Sequence, residues 1–270
     1  MLLHLPPLRE TIAKHGLSAR KGLGQNFILD LNLTRKIARA AGDLTGVHAI
    51  EIGPGPGGLT RALLESPAAS VTVIELDPRA VAVMRELKEH AGGRLHIIEG
   101  DALEFDITSV PGPRAIIANL PYHVASQLLI NWLRRAGELQ SITIMLQKEM
   151  AQRLVGKPRT AAYGRLSVMC QWLCDVKLLF DVPPSAFVPP PKVTSSIVQL
   201  VPRTSPPAIS FDAIEKTVAL AFSQRRKMLK GILNAASYNG EELMVKVGAS
   251  GTARAEELGV QEFVKLAKLL

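Results

Sequence analysis

The tetrapeptide Asn119-Leu120-Pro121-Tyr122 combines residue types that could act on the amino group of a nucleobase. The N6 nitrogen of adenine is a poor nucleophile because its lone pair is delocalised into the ring, and two hydrogen-bond acceptors can pull it towards a more reactive, pyramidal geometry. The side-chain oxygen of Asn119 and the carbonyl of Leu120 are the candidate acceptors, and Pro121 restricts Leu120 to extended conformations that fix the direction of this carbonyl. Tyr122 offers a flat face on which an extruded base could stack. Taken alone, the motif also fits an asparagine-proline turn followed by a core tyrosine.

A glycine-rich turn forms a second candidate site. It follows the apolar run at residues 49–52 and matches the spacing of a nucleotide-binding fingerprint at Gly53, Gly55 and Gly58. Glu75, at the end of the next apolar run, could hold ribose hydroxyls. These residues fit a nicotinamide dinucleotide and S-adenosylmethionine equally well. The two prolines of the turn lack the amide hydrogens that hold a pyrophosphate, which favours a ligand without phosphates over a dinucleotide.

The elements that must position these residues follow an alternating pattern. Short apolar runs (48–52, 71–75, 95–99, 115–118 and 142–146) alternate with helical stretches (59–64, 80–90 and 125–135). This alternation predicts an α/β fold with a parallel, doubly wound sheet. Ligands of such sheets bind at the carboxyl ends of the strands, so we expect Asp101 and Ala102, after the third run, to lie near Glu75 and Asn119. The Asp101 carboxylate could then accept a hydrogen bond from the adenine amino group of a cofactor.

The remaining chain predicts a second, smaller domain. A helix near 166–174, a strand near 176–180, a proline-dense loop at 183–191 and a strand at 195–201 precede the polar segment RTSPPAIS. From Phe211 onward the periodicity is helical. We therefore expect a first domain at residues 1–203, with a helical preface capped by Asp30, and a small all-α C-terminal domain at residues 204–270.

The charge balance suits a polyanionic partner. The chain carries 32 Lys and Arg residues against 24 Asp and Glu residues, for a formal charge of +8. Two basic clusters could bind phosphates, one near the N-terminus and one on a predicted C-terminal helix: Lys14, Arg20 and Lys21, and Arg225, Arg226, Lys227 and Lys230. Each cluster also fits an ordinary solvated helix face.

Other composition features concern redox state and location. Cys170 and Cys174 have no nearby histidine, which indicates reduced thiols and no metal site. Pro6, Pro7 and Arg9 interrupt the N-terminal apolar residues, as a signal peptide would not. No stretch approaches the roughly 18 apolar residues that span a bilayer. We expect a cytoplasmic monomer that binds neither metal nor membrane.

Nine segments in order resemble the KsgA-type ribosomal RNA adenine N6-dimethyltransferases, over nearly the whole chain. They are GLGQNFILD (22–30), EIGPGPGGLT (51–60), VIELDP (73–78), GDAL (100–103), NLPY (119–122), MLQKEM (145–150), YGRLSVM (163–169), VPPSAFVPPPKVTSSIVQL (182–200) and FSQRRKMLK (222–230). The resemblance implies a Rossmann-like class I methyltransferase fold with S-adenosylmethionine as cofactor. It also implies a substrate, two adjacent adenosines in the hairpin loop near the 3′ end of 16S rRNA within an immature small subunit, and a second role in ribosome assembly.

The resemblance assigns further roles residue by residue. It implies that Gln25, Asn26 and Ile28 close over the cofactor, whose pocket is completed by Gly53, Glu75, Asp101 and Asn119. It implies that Phe187 packs on the target adenine opposite Tyr122. The chain departs from the family pattern at Ile28, where leucine is usual, and at His123 and Val124, where asparagine and isoleucine are common. His123 is not expected to act as a base, because the product ammonium is already acidic.

Three other functions compete with this interpretation. A nicotinamide dehydrogenase would explain the glycines and Glu75 but not the motif at 119–122. A large-subunit rRNA methylase would share the cofactor and the chemistry and would differ in the RNA. A non-catalytic ribosome assembly factor would retain the fold without needing Glu75, Asp101, Asn119 and Tyr122.

Overall fold

The computed structural model describes residues 5–18, 25–121 and 124–270. The chain divides into two compact units. The first, which we call the sheet unit, comprises Met1–Ala151 and Lys177–Pro202, and the second, the helical unit, comprises Gln152–Val176 and Arg203–Leu270.

The boundary between the units differs from the predicted one at residues 203 and 204, because Gln152–Val176 groups with the C-terminal helices. Aromatic contacts account for this grouping. The rings of Trp172 and Phe211 lie 5.9 Å apart, and the Trp172 indole donates a hydrogen bond to the Pro207 carbonyl at 3.0 Å. The rings of Tyr163 and Phe222 lie 6.3 Å apart. Hydrophobic contacts between residues distant in sequence thus define the helical unit. The linker-like composition of RTSPPAIS, on which the predicted boundary was based, does not reveal these contacts.

The sheet unit is built on a sheet of seven strands in the order β4-β3-β2-β5-β6-β9-β7. The strands are β2 (His48–Ile52), β3 (Ser70–Glu75), β4 (Leu95–Glu99), β5 (Arg114–Asn119), β6 (Ser141–Gln147), β7 (Cys174–Val182) and β9 (Ser195–Pro202). Strands β2 to β6 pair in parallel, and β9 pairs with β6 in antiparallel orientation. The central strands are buried on both faces, as their continuous apolar runs require. The predicted α/β class is confirmed.

A separate two-stranded pairing joins two distant segments. Strand β1 (Phe27–Ile28) pairs with β8 (Phe187–Val188) in antiparallel orientation, with Ile28 opposite Phe187. The sequence showed neither strand, because runs of two residues carry no periodicity. The pairing brings the segment before α2 next to the proline-dense loop.

The helices of the sheet unit are α1 (Leu8–Lys14), α2 (Leu31–Ala40), α3 (Gly58–Glu65), α4 (Pro78–Glu89) and α5 (Ala125–Leu133); α6 (Lys148–Val155) follows β6. Asp30 caps α2 as predicted, and its carboxylate accepts a hydrogen bond from the Asn32 amide at 2.8 Å. Helix α1 was not predicted, since among its seven residues only Leu8 and Thr11 are buried. Its hydrophobic pattern is too short to detect.

The helical unit contains α7 (Arg165–Leu173), α8 (Phe211–Ala221), α9 (Leu229–Ala235), α10 (Gly240–Val247) and α11 (Val260–Leu269). Its core includes Phe222 and Phe263, whose rings stack at 5.6 Å. Arg225, Arg226 and Lys227 do not lie on a helix, so the helix prediction was wrong for them. They form a turn before α9. No helix among the described residues is long and apolar enough to cross a membrane.

Candidate active site

A cavity of about 270 Å³ opens at the carboxyl ends of β2, β3, β4 and β5. It is lined by every residue predicted to bind the cofactor and by three of the five predicted base-site residues, with Asn119 belonging to both groups: Gln25, Asn26, Ile28, Gly53, Gly55, Glu75, Asp101, Ala102, Asn119, Leu120 and Pro121. Tyr122 and His123 lie outside the described residues, as do Arg20 and Lys21. The parallel sheet thus gathers segments between residues 25 and 128 at one edge.

The glycine turn brings backbone close to the neighbouring segment. Gly55 has a φ of +52°, and a Cβ there would lie 3.1 Å from the Phe27 ring. A Cβ on Gly58 would lie 2.9 Å from the Ile28 carbonyl oxygen. The glycines therefore allow residues 27–28 to pack directly over the start of α3, which forms one wall of the cavity.

Glu75 lies at the end of β3, with both carboxylate oxygens directed to backbone amides. One oxygen accepts hydrogen bonds from the amides of Leu76 and Asp77, each at 2.8 Å, and the other accepts from the Gly55 amide at 3.3 Å. Burial raises the pKa of this carboxyl, while the three amides oppose the shift. The oxygen that faces Gly55 has a remaining lone pair, with which it could accept a ribose hydroxyl.

Asp77 is a cavity residue that the sequence reasoning missed. It caps α4, and its carboxylate accepts hydrogen bonds from the Arg79 guanidinium at 2.6 and 3.0 Å and from the Gln25 amide at 3.3 Å. The hydrogen bonds from Arg79 are the largest cause that lowers its pKa, to about 2. Arg79 also donates to the carbonyls of Gly16 and Ser18. In the sequence, an aspartate directly before a proline indicates a helix start. In the structure the same aspartate also holds Gln25 at the cavity.

Glu51 is a second cavity residue that was not predicted from the sequence. It lines the cavity from the end of β2, is only 2% exposed, and accepts a hydrogen bond from the Thr60 hydroxyl at 2.7 Å. Burial raises the pKa of this carboxyl to about 8. The signal was an acidic residue inside an otherwise apolar run that leads into the glycine turn.

Of the residues predicted to hold the target base, Asn119 lines the cavity and Phe187 does not. The Asn119 side-chain NH₂ donates to the Asn26 carbonyl at 3.3 Å, which directs the amide so that its oxygen remains an acceptor. Phe187 is 2% exposed and packs with Phe27 and Ile28 in the hydrophobic core. Stacking of Phe187 on a base stays a prediction, and in this conformation the ring is covered.

Part of the predicted basic clusters is engaged within the protein. The Arg225 guanidinium pairs with Glu256 at 2.8 Å and donates to the carbonyls of Ala161 and Tyr163. Lys230 pairs with Glu241 at 2.9 Å, and Lys14 with Glu86 at 2.8 Å. Arg226 and Lys227 are exposed in the turn before α9. Arg225 thus holds this turn in place, and the exposed pair has the better access to a phosphate.

The charge of the cavity restricts its ligand. Four of its described lining residues carry carboxyls: Glu51, Glu75, Asp77 and Asp101. No Lys, Arg or His is found among the described lining residues. Such a wall disfavours a pyrophosphate and suits a nucleoside that carries positive charge. Asn119 and Leu120 lie at the edge of the same cavity. A cationic nucleoside and the hydrogens of an amino group can therefore be held side by side.

Comparisons with known proteins agree with this geometry. Residues 16–270 match the family model for ribosomal RNA adenine dimethylase. The chain is 52% identical to ribosomal RNA small subunit methyltransferase A of Paramagnetospirillum magneticum, over 98% of this chain and 95% of that protein. Among solved structures, a dimethyladenosine transferase from Plasmodium falciparum superposes with a TM-score of 0.75 at 27% identity, covering 88% of this chain and 94% of that one. The 23S rRNA methyltransferase ErmE superposes with a TM-score of 0.67 at 28% identity, covering 90% and 98%. The chain belongs to the ribosomal RNA adenine dimethylase family.

Proposed function

We propose that the protein transfers methyl groups from S-adenosylmethionine to N6 of two adjacent adenosines in the 3′-terminal hairpin loop of 16S rRNA, within the immature small subunit. The observation that carries the proposal is the Asn119 amide, oriented by the Asn26 carbonyl and placed at the edge of an acidic nucleoside cavity. An acceptor in this position can bind a hydrogen of the target amino group.

The residues of the cavity fit the proposed cofactor. When bound, S-adenosylmethionine supplies an electrophilic methyl group on a positively charged sulfur. Glu75 would accept the ribose hydroxyls, Asp101 would accept an adenine amino hydrogen, and the glycine turn would let the ligand approach the backbone. Asp77 is already paired with Arg79, so Glu75 and Asp101 are the carboxyls left to complement a cation. The two prolines of the turn lack amide hydrogens, which a ligand without phosphate does not require.

The transfer requires the target adenine to be positioned correctly and does not require a strongly basic side chain. The Asn119 side-chain oxygen and the Leu120 carbonyl would accept the two N6 hydrogens and so position the amino nitrogen for transfer. Stacking of the base between Phe187 and Tyr122 would require the buried Phe187 ring to become uncovered. Holding two reactants in line removes much of the entropic part of the barrier. The amino proton is released after transfer, because the product ammonium is acidic.

The choice of RNA is supported by the relatives and by charge. The curated relatives that match over nearly the full chain carry the name of a small-subunit methyltransferase. The similarity to ErmE means that the fold alone does not separate small-subunit from large-subunit substrates. Arg226 and Lys227 are exposed on the helical unit and are available to bind phosphates of the rRNA.

Subunit selectivity tests the proposal. Small and large subunits isolated from cells without this modification are incubated separately with the protein and S-adenosylmethionine labelled in its methyl group. We expect label in small-subunit RNA and background in large-subunit RNA. Label in the large subunit alone would support an ErmE-like substrate, and subunit binding without any label would support a non-catalytic assembly factor.

A further inference from the structure

The N-terminal segment at residues 5–18 is held on the sheet unit by polar side chains from two helices. Arg61 of α3 donates to the carbonyl of the second residue before α1 at 2.7 Å. Glu86 of α4 accepts a hydrogen bond from Lys14, at the end of α1, at 2.8 Å. A third side chain, Arg79 of α4, binds the last residues of the segment.

Arg79 donates from three nitrogens to two different parts of the chain. Its Nε and Nη2 bind the two oxygens of the Asp77 carboxylate at 3.0 and 2.6 Å. Its Nη1 donates to the carbonyls of Gly16 at 3.1 Å and Ser18 at 3.3 Å. A planar guanidinium can make both sets of contacts at once, which a single ammonium cannot.

Asp77 connects this contact to the cavity. The oxygen that accepts from Arg79 Nη2 also accepts from the Gln25 side-chain amide at 3.3 Å. Asp77 and Gln25 both line the cavity, and the Asp77 carboxyl is buried. A bidentate guanidinium fixes the plane of a carboxylate, so it also fixes the lone pair that faces Gln25. Residues 16, 18 and 25 therefore meet at a single ion pair.

We propose that Arg79 is a positioning residue for cofactor binding, an inference that rests on the proposed use of S-adenosylmethionine. It fixes the Asp77 carboxylate and thereby holds Gln25 at the wall of the cavity, and it ties that wall to the N-terminal segment. Arg79 is not among the described residues that line the cavity, so it acts through Asp77 and Gln25.

Arg79→Met keeps much of the length of the side chain and removes its hydrogen bonds. We expect the dissociation constant of S-adenosylhomocysteine to rise roughly three- to tenfold, as loss of one positioned hydrogen bond would cause. Isothermal titration calorimetry of the full-length protein measures this constant. In methyl transfer to unmodified small subunits, KM for S-adenosylmethionine should rise by the same factor while kcat stays within about twofold. A loss of folded protein alone would instead lower kcat and leave KM unchanged.

A double-mutant cycle tests the connection through Gln25. Gln25→Ala removes the amide that Asp77 accepts. If Arg79 acts through this amide, Arg79→Met should raise the dissociation constant by less than about twofold when Gln25 is already alanine. Arg85→Met is the matched control, because Arg85 lies on the same helix and pairs with Glu99 at 3.0 Å, and neither is among the described lining residues. It should leave the dissociation constant unchanged.

The outcomes separate this inference from the proposed function. A native dissociation constant for Arg79→Met, or additive effects of Arg79→Met and Gln25→Ala, would overturn the role of Arg79 while leaving the cofactor assignment intact. Native affinity in Arg79→Lys would show that charge alone holds Asp77, and would overturn the need for the contacts with residues 16 and 18. If S-adenosylhomocysteine did not bind the native protein, the proposed cofactor itself would be wrong.

Discussion

Replacement of Asn119 by alanine should separate catalysis from binding. The side chain has two functions in the structure, because its NH₂ donates to the Asn26 carbonyl at 3.3 Å and its oxygen is left to accept from the target amino group. Loss of a positioned hydrogen-bonding group that acts in the transition state costs about 10²–10³ in rate. Loss of the neutral hydrogen bond to Asn26 costs about 0.5–1.5 kcal/mol, so the cofactor dissociation constant should rise by no more than about tenfold.

The assay is single-turnover methyl transfer to unmodified small subunits, with the dissociation constants of cofactor and subunit measured separately. Asn131→Ala is the matched control, because the Asn131 side chain also donates to a backbone carbonyl, that of Leu103 at 3.5 Å, without lining the cavity. We expect the control to transfer at the native rate. A transfer rate for Asn119→Ala within tenfold of the native rate, at saturating cofactor and subunit, would refute the role of Asn119 as an acceptor.

Three further outcomes follow from the structure. Gly58→Ala should lower the free energy of unfolding by about 1–3 kcal/mol, because the new Cβ meets backbone at 2.9 Å, whereas Gly137→Ala, with open space around its Cβ, should not; urea denaturation measures both. Replacing Arg226 and Lys227 together by alanine should weaken subunit binding and leave cofactor affinity unchanged. The slope of the logarithm of the binding constant against the logarithm of salt concentration should fall in magnitude by about 0.7–0.9 per lost phosphate contact. An unchanged slope in a salt series would contradict phosphate contacts. Asp77→Asn should remove a stabilisation that is fully present above pH 3.8 and is lost as the pH falls towards the lowered pKa of about 2, so the difference in unfolding free energy from native protein should shrink between pH 5 and 2.5.

Much of the sheet unit could be predicted because its signals are local. Buried parallel strands are continuous apolar runs, and the boundaries of β2 and β4 agree with those expected from the sequence. The rule that ligands bind at the carboxyl ends of the strands then placed Glu75, Asp101 and Asn119 at one cavity. The predicted cap at Asp30 has the same local origin.

The remaining features depend on contacts between residues far apart in the chain. The pairing of Ile28 with Phe187 joins two strands of two residues each, which no periodicity reveals. Arg225 was predicted to bind phosphates together with its basic neighbours. The sequence does not show that its guanidinium forms an ion pair with Glu256 and donates hydrogen bonds to two carbonyls. Glu51 was overlooked because a single acidic residue in an apolar run gives no indication of which group it faces.

The central claim is that the protein places two methyl groups on N6 of adjacent adenosines in small-subunit RNA. The most direct test is transfer from S-adenosylmethionine with an isotopically labelled methyl group to undermethylated 30S subunits, followed by nuclease digestion and mass spectrometry of the nucleosides and of the RNA fragments. The account predicts labelled N6,N6-dimethyladenosine at two neighbouring positions of the 3′-terminal hairpin of 16S rRNA. Label on another nucleoside, or dimethyladenosine outside that hairpin, would contradict it.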